Sequence, residues 1–350
     1  MATQTGITIA GPNQPYTVVD TIPRPTVGPK QALVKSLYVG LNPVEPFMQH
    51  SGILIAEFPA VIGSDTTAVV LEAGAECTKL RRGDYVFGCA PVGLNRFSPF
   101  QETFLVDEAW VFKKTARVGL EEGSTVGAGS LTAGLALIDG LRLQLPSPGT
   151  AAPRRDSWVV VMGGSGTVGQ YAVQIAKLCG YKVLASCSPS KAEIARKAGA
   201  DATFDNRAPL DEQLGIIERV TGGGQFRHVV DASAQAFELS IKALETIARE
   251  EDKFFATVDD WSEMNVSDSI NVYRVQFGTL GRLEQPLGKH VTGVIAELVA
   301  AFEGHIETGA LRPLDYQLVP GAGWDRIMES IADLEAGKFT KKPVVKVQEE

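Results

Sequence analysis

The pattern of apolar and polar positions changes rhythm once along the chain. Up to about residue 125 the apolar residues come in short β-type segments, Ala32–Leu41 (ALVKSLYVGL) and Thr66–Ala73 (TTAVVLEA), rich in Val, Leu and Tyr. Turn signals separate them, among them Gly28-Pro29, Asn42-Pro43 and Arg82-Gly83-Asp84, as in a small barrel-like or sandwich domain. The Pro-rich stretch Leu145–Asp156 (LPSPGTAAPRRD) then interrupts any regular element. Beyond it strand and helix patterns alternate. Ser157–Met162 (SWVVVM) is almost wholly apolar, as expected of a parallel strand covered on both faces. Val168, Tyr171, Ala172, Ile175, Ala176 and Cys179 follow at steps of three and four, predicting an amphipathic helix that Gly180 stops. Further strands are predicted at Lys182–Ser186, His228–Ala232 and Lys253–Val258, and helices at Lys191–Ala198 and Ala234–Arg249. This alternation predicts right-handed βαβ units in a doubly wound parallel sheet. The tail predicts a helix at His290–Phe302, then mixed β structure ending in Lys341–Val347.

Composition narrows the picture. A chain of 350 residues exceeds what one compact core fills, so two domains are expected. Apolar residues at 44% and charged residues at 21% exclude a disordered chain. With 33 Lys and Arg against 41 Asp and Glu the formal charge is −8, which argues against nucleic-acid binding and a polybasic membrane anchor. No apolar run approaches the length of a bilayer span, and residues 1–13 carry no leader-like pattern, so a cytoplasmic protein is expected. Cys77, Cys89, Cys179 and Cys187 form no C-x-x-C pair, and His50, His228, His290 and His305 show no i,i+4 spacing, so no metal site is expected.

The chemistry starts at Gly163-Gly164-Ser165-Gly166-Thr167-Val168-Gly169, where Gly164, Gly166 and Gly169 satisfy G-x-G-x-x-G. The first glycine allows a tight strand-to-helix turn, the second lets backbone approach a pyrophosphate, and the third packs helix against strand. The helix N-terminus then offers N–H groups and partial positive charge to phosphates. A purely structural turn is the plain alternative, but the loop follows a buried strand and opens an amphipathic helix, which is the context of dinucleotide binding. About 20 residues on, NAD-binding folds carry an acidic residue for the ribose hydroxyl. This chain has Ser188-Pro189-Ser190-Lys191 there, with no carboxylate until Glu193. Hydroxyls and a lysine suit a 2′-phosphate, so NADPH is the expected cofactor. Ser188 or Ser190 could equally cap the next helix, and both roles can coexist.

Several motifs now occur in order: Ala32–Leu41 with Asn42-Pro43-Val44, Val61-Ile62-Gly63-Ser64-Asp65, Arg82–Gly88 (RGDYVFG), Leu131-Thr132-Ala133-Gly134 and the glycine loop. In this the sequence resembles the medium-chain dehydrogenase/reductase superfamily over essentially its whole length. Within it the chain is similar to the zinc-free quinone-reductase-like branch, and most to fungal trans-acting enoyl reductases of polyketide pathways, through Gly119–Leu145 and Ala185–Pro189. The resemblance implies an α/β architecture: a GroES-like β-rich catalytic domain whose first part is 1–125, a Rossmann NADPH-binding domain at 126–285, and a return to the catalytic domain at 286–350. Zinc members carry a cysteine where this chain has Asn42-Pro43 and a Gly-His-Glu where it has Gly63-Ser64-Asp65.

Carried over residue by residue, the resemblance places Asn42, Pro43, Val44 and Glu45 beside the nicotinamide, and Ser165–Val168 on the pyrophosphate. It places Ser188–Lys191 on the 2′-phosphate and Thr132 near the nicotinamide ribose or substrate. Lys341 and Lys342 match a late basic pair that would close over the cofactor; a solvated charge pair is the plain alternative. Asn206 stands where many relatives have a tyrosine near the adenosine phosphate. Relatives read Asn-Pro-x-Asp-Trp-Lys where this chain has Asn42-Pro43-Val44-Glu45-Pro46-Phe47, so the lysine is replaced by Phe47. Asp231 could touch the cofactor or shape a turn.

The resemblance further implies NADPH-dependent hydride transfer to the β-carbon of an α,β-unsaturated polyketide thioester on an acyl carrier domain, a transient partner. Thr132 and backbone N–H groups are candidate donors to the developing oxyanion. Arg81-Arg82, Arg154-Arg155 and Lys341-Lys342 are candidate docking patches for an acidic carrier. The alternatives are a free-standing NADPH quinone or enone reductase and a non-redox isomerase or binding scaffold on the same fold. The chain is expected to work as a monomer or homodimer.

Overall fold

The computed structural model describes residues 2–350, which form two compact units: 2–128 with 278–350, and 129–277. The first unit opens with β1 (Thr3–Ile9), β2 (Thr17–Pro23), β3 (Gln31–Gly40), α1 (Val44–Ser51), β4 (Ala60–Val61), β5 (Asp65–Ala73), β6 (Tyr85–Cys89), β7 (Thr103–Asp107), β8 (Val111–Lys113) and α2 (Leu120–Gly123). The division between units falls inside α3 (Gly127–Gly134), which continues into a π-helical turn, Leu135–Gly140. The second unit then alternates: β9 (Trp158–Met162), α4 (Thr167–Leu178), β10 (Lys182–Cys187), α5 (Ala192–Ala198), β11 (Ala202–Asp205), α6 (Leu210–Val220), β12 (Phe226–Asp231), α7 (Phe237–Thr246), β13 (Lys253–Thr257) and β14 (Ile270–Arg274). The chain returns to the first unit with α8 (Pro286–Thr308), β15 (Tyr316–Ala322), α9 (Trp324–Glu335) and β16 (Lys342–Lys346).

The first unit is built around β3. It pairs antiparallel with β5 on one side and with β16 on the other, in a seven-stranded sheet ordered β15-β16-β3-β5-β6-β8, with β7 also on β3. Gly40 is opposite both Asp65 and Val344. Continuing the second register by two residues brings Lys342 opposite Asn42, and the Leu41 N–H donates to the Pro343 carbonyl at 3.0 Å. Three strand ends distant in sequence therefore meet at one level of the sheet. Below them Ile7, Ile9, Val39, Leu41, Met48, Phe100, Ile327, Ile331 and Val345 form one core. The mixed β structure expected of the tail is interrupted by α9, whose Trp324, Ile327, Met328 and Ile331 step at three and four. Burying each of its isoleucines contributes about 1.5–3 kcal/mol. Residues 278–285 also belong here, because the Arg282 guanidinium donates to the Leu54 and Val92 carbonyls.

In the second unit the strands are all parallel and ordered β11-β10-β9-β12-β13-β14, the 3-2-1-4-5-6 order of dinucleotide-binding sheets. Val159, Val160, Val161 and Met162 are fully buried, which explains the unbroken apolar run of β9. The strand order reverses between β9 and β12, and the glycine loop follows directly on β9. The helix expected over 234–249 is confined to Phe237–Thr246, because residues 233–236 are turned over the Asp231 carboxylate. The helix expected over 290–302 runs longer, from Pro286 at its first turn to a left-handed Gly309 cap. Among the described residues no helix is long and apolar enough to cross a membrane.

Candidate functional site

In the second unit β9 delivers the chain into a turn at Gly163, whose φ of 77° is in the left-handed region. Ser186 on the neighbouring β10 holds the turn: its hydroxyl accepts the Gly163 N–H at 2.9 Å and its carbonyl the Gly164 N–H at 2.8 Å. A Cβ on Gly169 would collide with the Gly163 carbonyl, so the third glycine lets α4 close against the turn. Helix α4 starts after Gly166 with no side-chain cap, and Ser165, Thr167 and Val168 are partly exposed. Its first N–H groups are thus left to a ligand, as a pyrophosphate requires. Beside the loop a cavity of about 280 Å³ is lined by Gly163, Ser186, Asn206, Gln213, Ser233 and Gln235. Asn206 is therefore on the cavity wall. Asp231 is buried and its two oxygens are taken by the backbone N–H groups of Ser233 and Ala236 at 2.9 Å each, so it shapes a turn.

The end of β10 presents Ser188, Pro189, Ser190 and Lys191 in a single 3₁₀ turn. Ser188 is buried; Pro189, Ser190 and Lys191 are exposed. Neither the 3₁₀ turn nor α5 has a side-chain cap, so the capping role open to these serines is not realised. Their hydroxyl oxygens lie 3.4 Å apart. The sheet register adds a residue the linear pattern hid: Asp205 of β11 is opposite Cys187, with its carboxylate accepting the Arg207 N–H at 2.9 Å. Thr132 is 9% exposed, in the part of α3 that belongs to the second unit.

In the first unit the meeting strand ends form a buried polar cluster. Lys342 Nζ lies 2.8 Å from Asp65 Oδ2 and donates to Asn42 Oδ1 at 2.7 Å and to the Leu41 carbonyl at 3.3 Å. Asn42 Nδ2 donates to Ser64 Oγ at 2.8 Å and Asp65 Oδ2 at 3.0 Å. The Asn42 N–H donates to Glu45 Oε2 at 2.6 Å, and the Ser64 hydroxyl donates to Glu45 Oε1. Asp65 Oδ1 accepts the Ala128 N–H. Glu45 is fully buried, and desolvation pushes its carboxyl up to about 7 against the pull of Ser64 and Lys342. Pro43 and Val44 lead into α1, with Pro43 at its N-cap position. Phe47 on the same helix is 48% exposed.

The two late lysines part company. Lys341 is exposed and 3.5 Å from Asp315, whereas the Lys342 side chain is only 2% exposed. For Lys342 the solvated-pair alternative does not hold, and the pair cannot act as a docking patch. Nothing in the linear sequence marks Ser64 and Asp65 as partners of Asn42; only the register of β3 with β5 joins them.

Comparison with known proteins bears on both units. Residues 28–116 match the alcohol dehydrogenase GroES-like domain, and residues 167–249 match the zinc-binding dehydrogenase family. Trans-enoyl reductase tazE of Aspergillus terreus is 31% identical over 223 residues, covering 60% of this chain and 72% of that protein. Trans-enoyl reductase caaB of Aspergillus niger is 34% identical over 216 residues, covering 59% of this chain and 58% of that protein. A quinone oxidoreductase of Pseudomonas syringae pv. Tomato DC3000 shares the fold with a TM-score of 0.75 at 20% identity, over 98% of this chain and 99% of that one. At the positions where zinc members carry ligands, this chain offers an amide, a hydroxyl and a carboxylate already paired with an ammonium, a donor set that does not fit zinc. The glycine loop, its open helix terminus and the adjoining cavity do fit the nicotinamide dinucleotide that this fold implies. The chain belongs to the medium-chain dehydrogenase/reductase superfamily of oxidoreductases, near the fungal enoyl reductases.

Proposed function

We propose that this chain is an NADPH-dependent, trans-acting enoyl reductase that saturates the α,β double bond of a thioester carried by an acyl carrier domain. The similarity to relatives named trans-enoyl reductases supports the reaction class. The observation that carries the cofactor choice is the end of β10, where the hydroxyls of Ser188 and Ser190, which cap no helix, precede the exposed Lys191. These groups donate hydrogen bonds and positive charge to a 2′-phosphate. Ser165, Gly166, Thr167 and Val168 would hold the pyrophosphate through backbone N–H groups, with Gly164 and Gly169 setting the turn. Asn206 would border the adenosine.

NADPH, when bound, would supply the hydride for the β-carbon, and water or a side chain would supply the proton for the α-carbon, so that saturated thioester and NADP⁺ result. Negative charge grows on the thioester oxygen in between, so donors fixed beforehand lower the barrier most. Thr132 is the side-chain candidate for that task. Asn42, Pro43, Val44 and Glu45 form the stretch assigned to the nicotinamide end.

The test offers an enoyl thioester with NADPH or with NADH and follows product mass. Saturation of the double bond with NADPH in preference to NADH is expected. Equal use of both cofactors would overturn the NADPH assignment. Reduction of a quinone with no saturation of the thioester would replace this reading by a small-electrophile reductase.

A further inference from the structure

We propose that Lys342 is a positioning residue for this reaction, an internal cation that fixes the side chain of Asn42 and, through it, the Asn42–Glu45 turn. The inference rests on the reading above, which assigns that turn to the nicotinamide end.

The geometry is over-determined. The three N–H bonds of the ammonium face three acceptors, Asp65 Oδ2, Asn42 Oδ1 and the Leu41 carbonyl. Asn42 in turn spends its amide nitrogen on Ser64, Asp65 and the Gly40 carbonyl. Reversing that amide would aim its NH₂ at the Lys342 ammonium and its carbonyl at the Asp65 carboxylate, two repulsive contacts. Lys342 and Asp65 together therefore leave Asn42 one orientation. The Asn42 backbone N–H is then tied to Glu45, which closes the turn.

Gly40 makes room for this arrangement: a Cβ there would come within 2.9 Å of Lys342 Cε and would overlap the Ser124 carbonyl. The stability of the fold does not account for the pair. A buried ion pair costs about as much in desolvation as it returns, and an apolar pair of similar volume commonly serves a fold as well or better. What charge supplies and an apolar pair lacks is a sign, and a sign is what orients an amide.

Three variants test this: Lys342→Met, Lys342→Met combined with Asp65→Asn, and Asn42→Ala. Lys342→Met should lower Tm and kcat together. The neutral double variant should recover Tm yet keep kcat down by about tenfold, because the Asn42 amide is free to turn. Asn42→Ala keeps the ion pair but leaves a Lys342 N–H without its acceptor, so it should lower Tm less than Lys342→Met does and lose kcat by a similar factor. In the two Lys342 variants, which leave every other residue assigned to the cofactor in place, the dissociation constant of NADPH, read by fluorescence titration, should stay within about twofold.

Recovery of kcat along with Tm in the double variant would make the pair purely structural and overturn the proposal. So would an Asn42→Ala enzyme of unchanged kcat. If the unmodified protein fails to turn over enoyl thioesters, the functional reading falls. The positioning role is then judged on the nicotinamide emission of bound NADPH: altered emission at unchanged affinity in the double variant supports it, and unaltered emission overturns it.

Discussion

The glycine loop of the second unit comes from seven consecutive residues, Gly163 to Gly169, and opens a helix whose first backbone N–H groups carry no side-chain cap. The cluster of the first unit takes its members from positions 42, 45, 64, 65 and 342 and is made of charged and polar side chains sealed from water. The loop depends on the absence of volume, since a methyl group on Gly169 would strike the Gly163 carbonyl. The cluster depends on the balance of charge, since each acceptor in it faces a donor. The two regions can thus be disrupted by different kinds of substitution.

The largest effect is expected from breaking charge balance. Lys342→Met leaves Asp65 buried without its cation and should cost about 3–5 kcal/mol in urea unfolding, where a surface lysine such as Lys338 should cost almost nothing. The next probe is pH. Burial raises the Glu45 carboxyl from 4.5 to about 7, so the folded chain holds that proton more tightly than the unfolded chain. Its contribution to stability is fully present below pH 4.5 and is lost as pH rises through about 7. The loss is on the order of 3 kcal/mol between those limits, and unfolding of Glu45→Gln should lack it. A stability difference between the two proteins that does not change with pH would contradict the burial of an ionisable Glu45.

The loop responds to volume. Gly169→Ala should destabilise by about 1–3 kcal/mol and weaken NADPH and NADH alike, because it moves backbone that both cofactors share. The smallest effect is expected from Lys191→Ala, which should weaken NADPH by about 1–2 kcal/mol and spare NADH. Equal weakening of both cofactors would remove Lys191 from the 2′-phosphate.

These two regions were not equally legible in the sequence. The loop was, because strand, turn and helix follow one another within it and each leaves a local pattern. The second unit's β9, β10, β12, β13 and α4 were visible for the same reason. Helix α1 was not, since Pro46 looks like a breaker; it is in the first turn, where its missing N–H is not needed. Helix α9 carried a readable stripe, Trp324, Ile327, Met328 and Ile331, that the flanking β-like segments masked. Asp205 came to the end of β10 only through the pairing of β10 with β11. The cluster could not be read at all. Lys342 resembled half of an exposed basic pair, and its partnership with Asn42 spans 300 positions, set by the register of β16 on β3. Sheet register between distant strands leaves no periodicity in the residues it joins.

The proposed activity of this oxidoreductase is saturation of a carrier-bound enoyl thioester with NADPH. The most direct test compares kcat/KM for one enoyl chain attached to an acyl carrier domain and to a short thiol, at low and at raised salt. A higher kcat/KM is expected for the carrier-bound substrate, with that advantage eroded by salt as the transient contacts are screened. Equal kcat/KM for the two substrates, or faster reduction of a simple quinone than of either, would contradict it.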